Sequence, residues 1–290
     1  MKHSLLLLFI IASSSCVAQV IPFSTNDEGY IIVSAKFNDS VDARLVFDTG
    51  GGINVVSNNF FQKIKRGAQF QHYYTGFRHD GDRIDVEVYQ VPSLNIGSFE
   101  LKNVMVGVTA ILDGWDMDGI ISLINFEKTP VTVDYNKKKL IIETPASLHK
   151  KARSAQTLPI KLHQFGNLSL DIFVPVCING STRLDMEFDT GSLPEDVIVN
   201  SKFLDVLRID TSKTRNETIV TPFTSTSLRR YITTIDSVQY CGLVYPSLKN
   251  IRVDFKQNLI YDGIIGAGYF RELSFTIDIP NKRILVKRGE

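Results

Sequence analysis

The sequence predicts a mainly β protein made of two similar lobes, because the chain repeats itself over two long stretches. Residues 37–50, FNDSVDARLVFDTG, align without a gap with residues 178–191, INGSTRLDMEFDTG. Residues 118–142 align in the same way with residues 262–286, and both copies begin with Asp-Gly-Ile-Ile. Two copies of about 120 residues indicate duplicated lobes rather than the short tandem units of a solenoid.

Local patterns within each copy favour strands. Runs such as GYIIVSAKF and VTVDY are rich in β-branched and aromatic residues, and turn sequences such as NIGS and NKKK separate them. Each copy of the first repeat reads as a β-hairpin that runs into Asp-Thr-Gly. Only residues 57–65 and 200–208 have the pattern of short helices. The predicted fold class is therefore all-β.

The chain length of 290 residues also suits two domains. We predict an N-terminal lobe over residues 22–146 and a C-terminal lobe over residues 158–290. The polar and basic segment 147–157 between them is expected to be a linker.

The N-terminus has the pattern of a secretory signal peptide over residues 1–18. A short basic start precedes an apolar run and then small residues, with cleavage expected after Ala18. The alternative is lipid attachment at Cys16. Either way the protein is expected to be exported, to the periplasm or the medium. No later stretch approaches the roughly 20 apolar residues that a membrane-spanning helix needs.

Composition excludes several classes of function. The formal net charge is +1, without the basic excess typical of nucleic-acid-binding surfaces. The five histidines form no His-Glu-x-x-His motif, and the cysteines have no zinc-site spacing, so neither a metal nor another cofactor is expected. Cys177 and Cys241 are either a disulfide, which an exported protein permits, or two separate buried thiols.

The paired Asp-Thr-Gly motif is the strongest functional signal. A single copy would suit an ordinary turn, since Asp and Gly are common turn residues. Two copies in duplicated lobes can meet across the pseudo-twofold axis and bring Asp48 and Asp189 together. Two adjacent carboxyl groups share one proton, so one can activate water while the other protonates a carbonyl oxygen. This is the chemistry of amide hydrolysis without a covalent intermediate.

These motifs resemble those of the aspartic proteases, and in particular the retropepsin-like and pepsin-like proteins that bacteria export. The resemblance rests on FDTGGG and FDTGS, each followed by Asp-Gly-Ile-Ile, and covers nearly all of the chain after the signal peptide. It implies the acid-protease fold, with two β-barrel-like lobes. The segment Gly263–Gly266 matches the hydrophobic-glycine segment of that family, whereas Ser122 stands where glycine is usual.

The resemblance also implies residue roles. Asp48 and Asp189 would be the catalytic pair, and Thr49 and Thr190 would hydrogen-bond across the lobe junction. Gly50 and Gly191 would let the backbone fold tightly behind the carboxyl groups.

Ser192 can donate a hydrogen bond to Asp189, whereas Gly51 offers Asp48 none. Asp189 is therefore expected to carry the negative charge and Asp48 the proton.

A flap hairpin is expected in each lobe, at residues 71–91 with a turn near Asp80 and Gly81, and around residues 220–232. Tyr73, Tyr74 and Tyr231 are candidates for covering the substrate, although each also suits ordinary strand surface or core.

The expected function is that of a monomeric aspartic endopeptidase that binds an extended peptide or protein substrate between its lobes. The alternative is a peptide-binding protein on the same fold with little or no hydrolysis. Ser122 and the three glycines at positions 50–52 favour this alternative.

Overall fold

The structure is a computed structural model that describes residues 18–193, 196–220, 226–245 and 247–288. The predicted signal peptide, except for Ala18, and the candidate lipidation site Cys16 lie outside the described residues. Within the described part of the chain, no helix is long and apolar enough to cross a membrane.

The first half of the chain forms ten strands. In chain order these are β1 (Gln19–Thr25), β2 (Ile31–Phe37), β3 (Val41–Asp48), β4 (Val55–Ser57), β5 (Gln69–Phe77), β6 (Arg83–Ile96), β7 (Phe99–Thr109), β8 (Gly119–Ser122), β9 (Val131–Asp134) and β10 (Lys139–Ile142). Strands β2, β3, β8, β4, β7 and β6 pair in that order, and β6 pairs back onto β2. The first lobe is therefore a closed six-stranded barrel.

The second half of the chain repeats this arrangement. Its strands are β11 (Gln156–Pro159), β12 (Lys161–Phe165), β13 (Ser169–Ile178), β14 (Thr182–Asp189), β15 (Val197–Asn200), β16 (Arg215–Val220), β17 (Ser227–Tyr240), β18 (Ser247–Lys256), β19 (Gly263–Gly266), β20 (Leu273–Asp278) and β21 (Arg283–Arg288). Strands β13, β14, β19, β15, β18 and β17 close in the same way, because β17 pairs back onto β13. The predicted all-β fold of two similar β-barrel-like lobes is confirmed.

A third, six-stranded sheet joins the lobes, in the order β11-β21-β20-β9-β10-β1. Strand β9 lies in the repeated stretch 118–142 and β20 in its copy, residues 262–286. The two strands pair antiparallel at the centre of this sheet. The hydroxyls of Thr132 and Thr276 lie 2.6 Å apart across that pair, buried from solvent. The Thr132 hydroxyl also donates to the buried carboxylate of Glu143 at 2.5 Å. The lobes thus share a continuous backbone ladder below their junction.

The helices differ in part from those predicted. Helix α1 (Asn58–Ile64) lies within the predicted range, and the Ser57 hydroxyl caps it. The second predicted helix, over residues 200–208, is only a 3-10 turn at Ser201–Phe203 followed by hydrogen-bonded turns. Arg208 has a φ of 54°, which ends the helical geometry within the predicted range.

Helix α2 (Pro145–Ala152) was not predicted and occupies most of the expected linker. Thr144 and Ser147 form a capping box, with Pro145 at the first helical position. A basic, polar segment can be helical when its N-terminus is capped in this way, and composition alone gave no sign of it.

Cys177 and Cys241 form a disulfide, with Cα atoms 5.3 Å apart. Cys177 lies on β13, and the residue after the end of β17, Cys241, donates its backbone N–H to Pro175 of β13. The bond therefore ties together the two strands whose pairing closes the second barrel.

Replacing both cysteines, Cys177→Ser with Cys241→Ser, should lower the free energy of unfolding by about 2–4 kcal/mol, because the bond closes a long loop. Denaturant unfolding should show this loss, and the unmodified protein in strong reductant should show a similar one. Equal stability of the oxidised protein and the double variant would contradict the prediction.

Candidate functional site

The two Asp-Thr-Gly loops follow equivalent strands. β3 ends at Asp48 and runs parallel to β8, which places Asp48 opposite Ser122. β14 ends at Asp189 and runs parallel to β19, which places Asp189 opposite Gly266. The preceding phenylalanines, Phe47 and Phe188, are fully buried and anchor the loops in the two cores.

Two buried threonines hold the loops together across the lobe junction. The Thr190 hydroxyl accepts from the backbone N–H of Thr49 at 3.0 Å and donates to the carbonyl of Phe47 at 2.7 Å. In the same way, the Thr49 hydroxyl accepts from the backbone N–H of Thr190 at 3.1 Å and donates to the carbonyl of Phe188 at 2.5 Å. Each hydroxyl thus satisfies both a donor and an acceptor of the opposite lobe.

The carboxyl groups of Asp48 and Asp189 are brought into hydrogen-bonding contact. Gly50 donates its N–H to Asp48 at 2.9 Å, and Gly191 donates to Asp189 at 2.7 Å. A Cβ added to Gly191 would lie 2.4 Å from Cγ of Asp48, and one added to Gly50 would lie 2.6 Å from Cγ of Asp189. Each loop therefore needs glycine because the carboxyl group of the other lobe packs against its backbone.

The environment of the pair is asymmetric. Burial is the largest cause that raises the pKa of Asp48 well above its usual range, followed by the negative charge of Asp189 and their mutual hydrogen bond. The Ser192 hydroxyl donates to Asp189 at 2.6 Å, whereas the equivalent residue beside Asp48 is Gly51, which has no side chain. Both observations favour a proton on Asp48 and a negative charge on Asp189.

Local packing accounts for Ser122 and Gly51, which the sequence analysis counted in favour of a binding protein. Ser122 is fully buried, donates its hydroxyl to the carbonyl of Gly52 at 2.7 Å and accepts from the N–H of Ile124 at 3.3 Å. A Cβ on Gly51 would lie 2.7 Å from a methyl group of Ile120 and 2.8 Å from a carboxyl oxygen of Asp48. Neither feature disturbs the carboxyl pair.

The pair lies in a cleft of about 740 Å³ between the lobes. Strands β5 and β6 form the predicted hairpin beside it, with the turn at residues 78–82. Tyr74 of this hairpin lines the cleft. Tyr73 does not; its side chain is 73% exposed and its ring contacts Phe70.

The hairpin of the second lobe is β16–β17, where Tyr231 pairs with Asn216. Tyr231 packs against the hydrophobic core and is not among the residues that line the cleft. Of the three candidate tyrosines, the structure thus places Tyr74 alone at the site.

The tip of the first hairpin touches the second lobe. The carbonyl of His79 accepts from the N–H of Ile260 at 3.0 Å. Burial, with a further contribution from the positive charge of Lys256, lowers the pKa of His79 to about 4, so this side chain is neutral at pH 7. The hairpin therefore bridges the cleft like a closed flap.

A protein-family model described as "aspartyl protease" matches residues 33–124. Among solved structures, the chain is similar to basic 7S globulin from soybean, with 9% sequence identity and a TM-score of 0.56 over 94% of this chain and 95% of that one. A search of curated proteins found no match. The fold is that of the aspartic proteases.

Two further acids in this cleft escaped the sequence analysis. Asp171 accepts a hydrogen bond from the backbone of Gly52, and burial raises its pKa to about 7. Glu187 is only 4% exposed, and burial together with the charge of Asp189 raises its pKa well above the usual range. Both line the cleft. Strand alternation could have revealed Glu187, since it lies two residues before Asp189 and so on the same face of β14.

In the described part of the chain, no group of three or more His, Cys, Asp or Glu side chains is arranged to hold a metal ion.

Gly191→Ala should destroy the carboxyl arrangement, because the new Cβ would overlap Asp48. We expect the thermal midpoint of unfolding to fall. Gly114→Ala is the matched control for stability, since nothing lies within 4 Å of its added Cβ. A Gly191→Ala variant as stable as Gly114→Ala would contradict this packing.

Asp171→Asn should stabilise the protein at high pH. The folded-state pKa of Asp171 is raised from 3.8 to about 7, so the folded state retains a proton that the unfolded state loses as pH rises from about 4 to 7. The asparagine variant avoids this cost and should unfold with a free energy about 4 kcal/mol higher at pH 8, at about 1.4 kcal/mol per pKa unit. Urea unfolding should show no such difference near pH 3.5. A pH-independent difference would be the contrary result.

Proposed function

We propose that the protein is an aspartic endopeptidase. The observation that carries this proposal is the contact between Asp48 and Asp189, one from each lobe, at the base of a cleft large enough for a peptide. The threonine hydrogen bonds fix the two carboxyl groups in register, and the cleft gives a substrate access to them.

The chemistry follows from the asymmetry of the pair. A water molecule between the carboxyl groups would lose a proton to the ionised Asp189 as its oxygen attacks the peptide carbonyl carbon. Asp48 would donate its proton to the carbonyl oxygen, which gives a neutral tetrahedral diol. Collapse of the diol returns one hydroxyl proton to Asp48, the C–N bond breaks, and the nitrogen takes the proton that Asp189 had accepted.

The substrate would bind as an extended strand beneath the β5–β6 hairpin. Backbone pairing supplies affinity in this kind of recognition, and side-chain pockets supply selectivity. The hydrogen bond between His79 and Ile260 must break to admit the chain, since it bridges the cleft. Export, to the periplasm or the medium, remains part of the proposal, and the Cys177–Cys241 disulfide supports it because such bonds persist in oxidising compartments.

The second candidate function is peptide binding without hydrolysis. The docked hairpin tip favours it, because a flap that stays closed would prevent substrate from reaching the carboxyl pair. Ser122 and Gly51 no longer favour it, since both are explained by packing.

Asp48→Asn and Asp189→Asn should each reduce kcat by at least about 10³-fold, because a single amide cannot share the proton or activate water. Cleavage of a peptide library measures this, with the exposed Asp116→Asn as a control that keeps activity. Cleavage that survives both substitutions would refute the mechanism. A protein that binds a statine-type peptide but cleaves nothing would instead support the second candidate.

A further inference from the structure

The cleft contains two acids that the proposed mechanism does not use. Glu187 and Asp171 both lie on the lobe-two side of the carboxyl pair. Glu187 lies two residues before Asp189 on β14, so both side chains are on the same face of the strand. The two residues are separated by about 7 Å along the strand. That distance places Glu187 within reach of a side chain next to the scissile bond.

Glu187 has no hydrogen-bond or ion-pair partner among the residues that the structure describes. The residue is only 4% exposed. The charges that act on it most strongly, those of Asp189, Asp171 and Asp48, are all acidic. An unpaired buried carboxyl group is costly, and such a group facing a cleft suits a cationic ligand that supplies the missing partner.

The other lobe is different at the equivalent positions. The spacing of 141 residues that relates the two catalytic loops pairs Glu187 with Val46 and Asp171 with Tyr30. Val46 is fully buried in an apolar cluster with Ile32 and Met117. The repeat therefore presents an apolar surface on one side of the carboxyl pair and an acidic surface on the other.

The surroundings of Glu187 suit a long amphipathic side chain rather than a small ion. Tyr261 and Tyr74 line the same part of the cleft, and the charges of Glu187 and Asp171 both act on the Tyr261 hydroxyl. The Tyr261 ring is held edge-on against Phe173 at 4.8 Å between centroids. Aromatic rings pack well against the methylene stem of Lys or Arg, while the charged end pairs with the carboxylates.

We propose that Glu187 and Asp171 form a subsite that selects a Lys or Arg residue of the substrate at one position next to the scissile bond, on the lobe-two side. This inference rests on the proposed peptidase function and names its substrate class. Asp171 is fixed by the backbone of Gly52, and Glu187 provides the more deeply buried carboxyl group.

The test compares peptides that differ only at the position next to the cleavage site, with Lys, Arg, Gln, Met or norleucine there. The unmodified enzyme should cleave the Lys and Arg peptides at least about tenfold more efficiently, in kcat/KM, than the norleucine peptide. Glu187→Gln should reduce that ratio at least about tenfold, and Asp171→Asn should reduce it less. Glu100→Gln is the matched control, because it makes the same substitution at an exposed position, and it should leave the ratio unchanged.

A binding measurement separates this inference from the proposed function. Statine-type peptides with Lys or norleucine at the same position are titrated calorimetrically into the full protein. Tighter binding of the Lys peptide that Glu187→Gln abolishes would support the subsite even in a protein that cleaves nothing. Equal binding of the two peptides, or a preference for Lys that survives Glu187→Gln, would overturn it. A preference for Gln or norleucine would also overturn it, since it would mean that Glu187 acts as a neutral group.

Discussion

The reciprocal hydrogen bonds of Thr49 and Thr190 are the constraint on which the site depends. Each lobe ends its central strand in a loop whose backbone N–H and carbonyl groups would otherwise be buried without partners. An unsatisfied buried backbone group costs about 1–3 kcal/mol, so the two loops are stable only in contact with each other. The same contact fixes the distance between the carboxyl groups, and stability and site geometry therefore have one origin.

Several acidic groups lie close together at this junction, although their negative charges repel one another. Burial disfavours ionisation of Asp48, Asp171 and Glu187 alike, and the negative charge of Asp189 adds to the cost of charging all three. The two closed barrels and the sheet that joins them supply the apolar burial that holds such a cluster in place. Strained or charged groups that persist in a well-packed fold are typical of functional sites.

The sequence predicted the fold class because duplication is visible without any structure. Gapless alignment around Asp48 and Asp189 located both Asp-Thr-Gly loops, since similar local sequences adopt the same geometry in both lobes. The helix predicted at residues 200–208 is only a 3-10 turn followed by hydrogen-bonded turns, which end at Arg208 in a left-handed conformation that the sequence pattern does not reveal. Helix α2 was missed because a capping box outweighed a polar composition.

The acids of the cleft were harder to predict than the carboxyl pair. Glu187 and Asp171 break the repeat, standing where the first lobe has Val46 and Tyr30, and a search for similarity passes over such differences. Tyr73 and Tyr74 are neighbours on one strand, so they point to opposite faces and only one can reach the cleft. Deciding which one requires the register of β5 against β6, which only the structure supplies.

The six-stranded sheet has a consequence for motion. Strands β9 and β20 pair at its centre, and Thr132 contacts Thr276 across that pair. The two lobes are therefore joined by backbone hydrogen bonds beneath the carboxyl pair. A hinge between the lobes would have to shear that ladder, whereas lifting the hairpin tip would break its backbone hydrogen bond to Ile260 and leave the ladder intact. Access to the cleft is thus controlled by the hairpin, and in the proposed peptidase the rate of hairpin opening would set an upper bound on turnover.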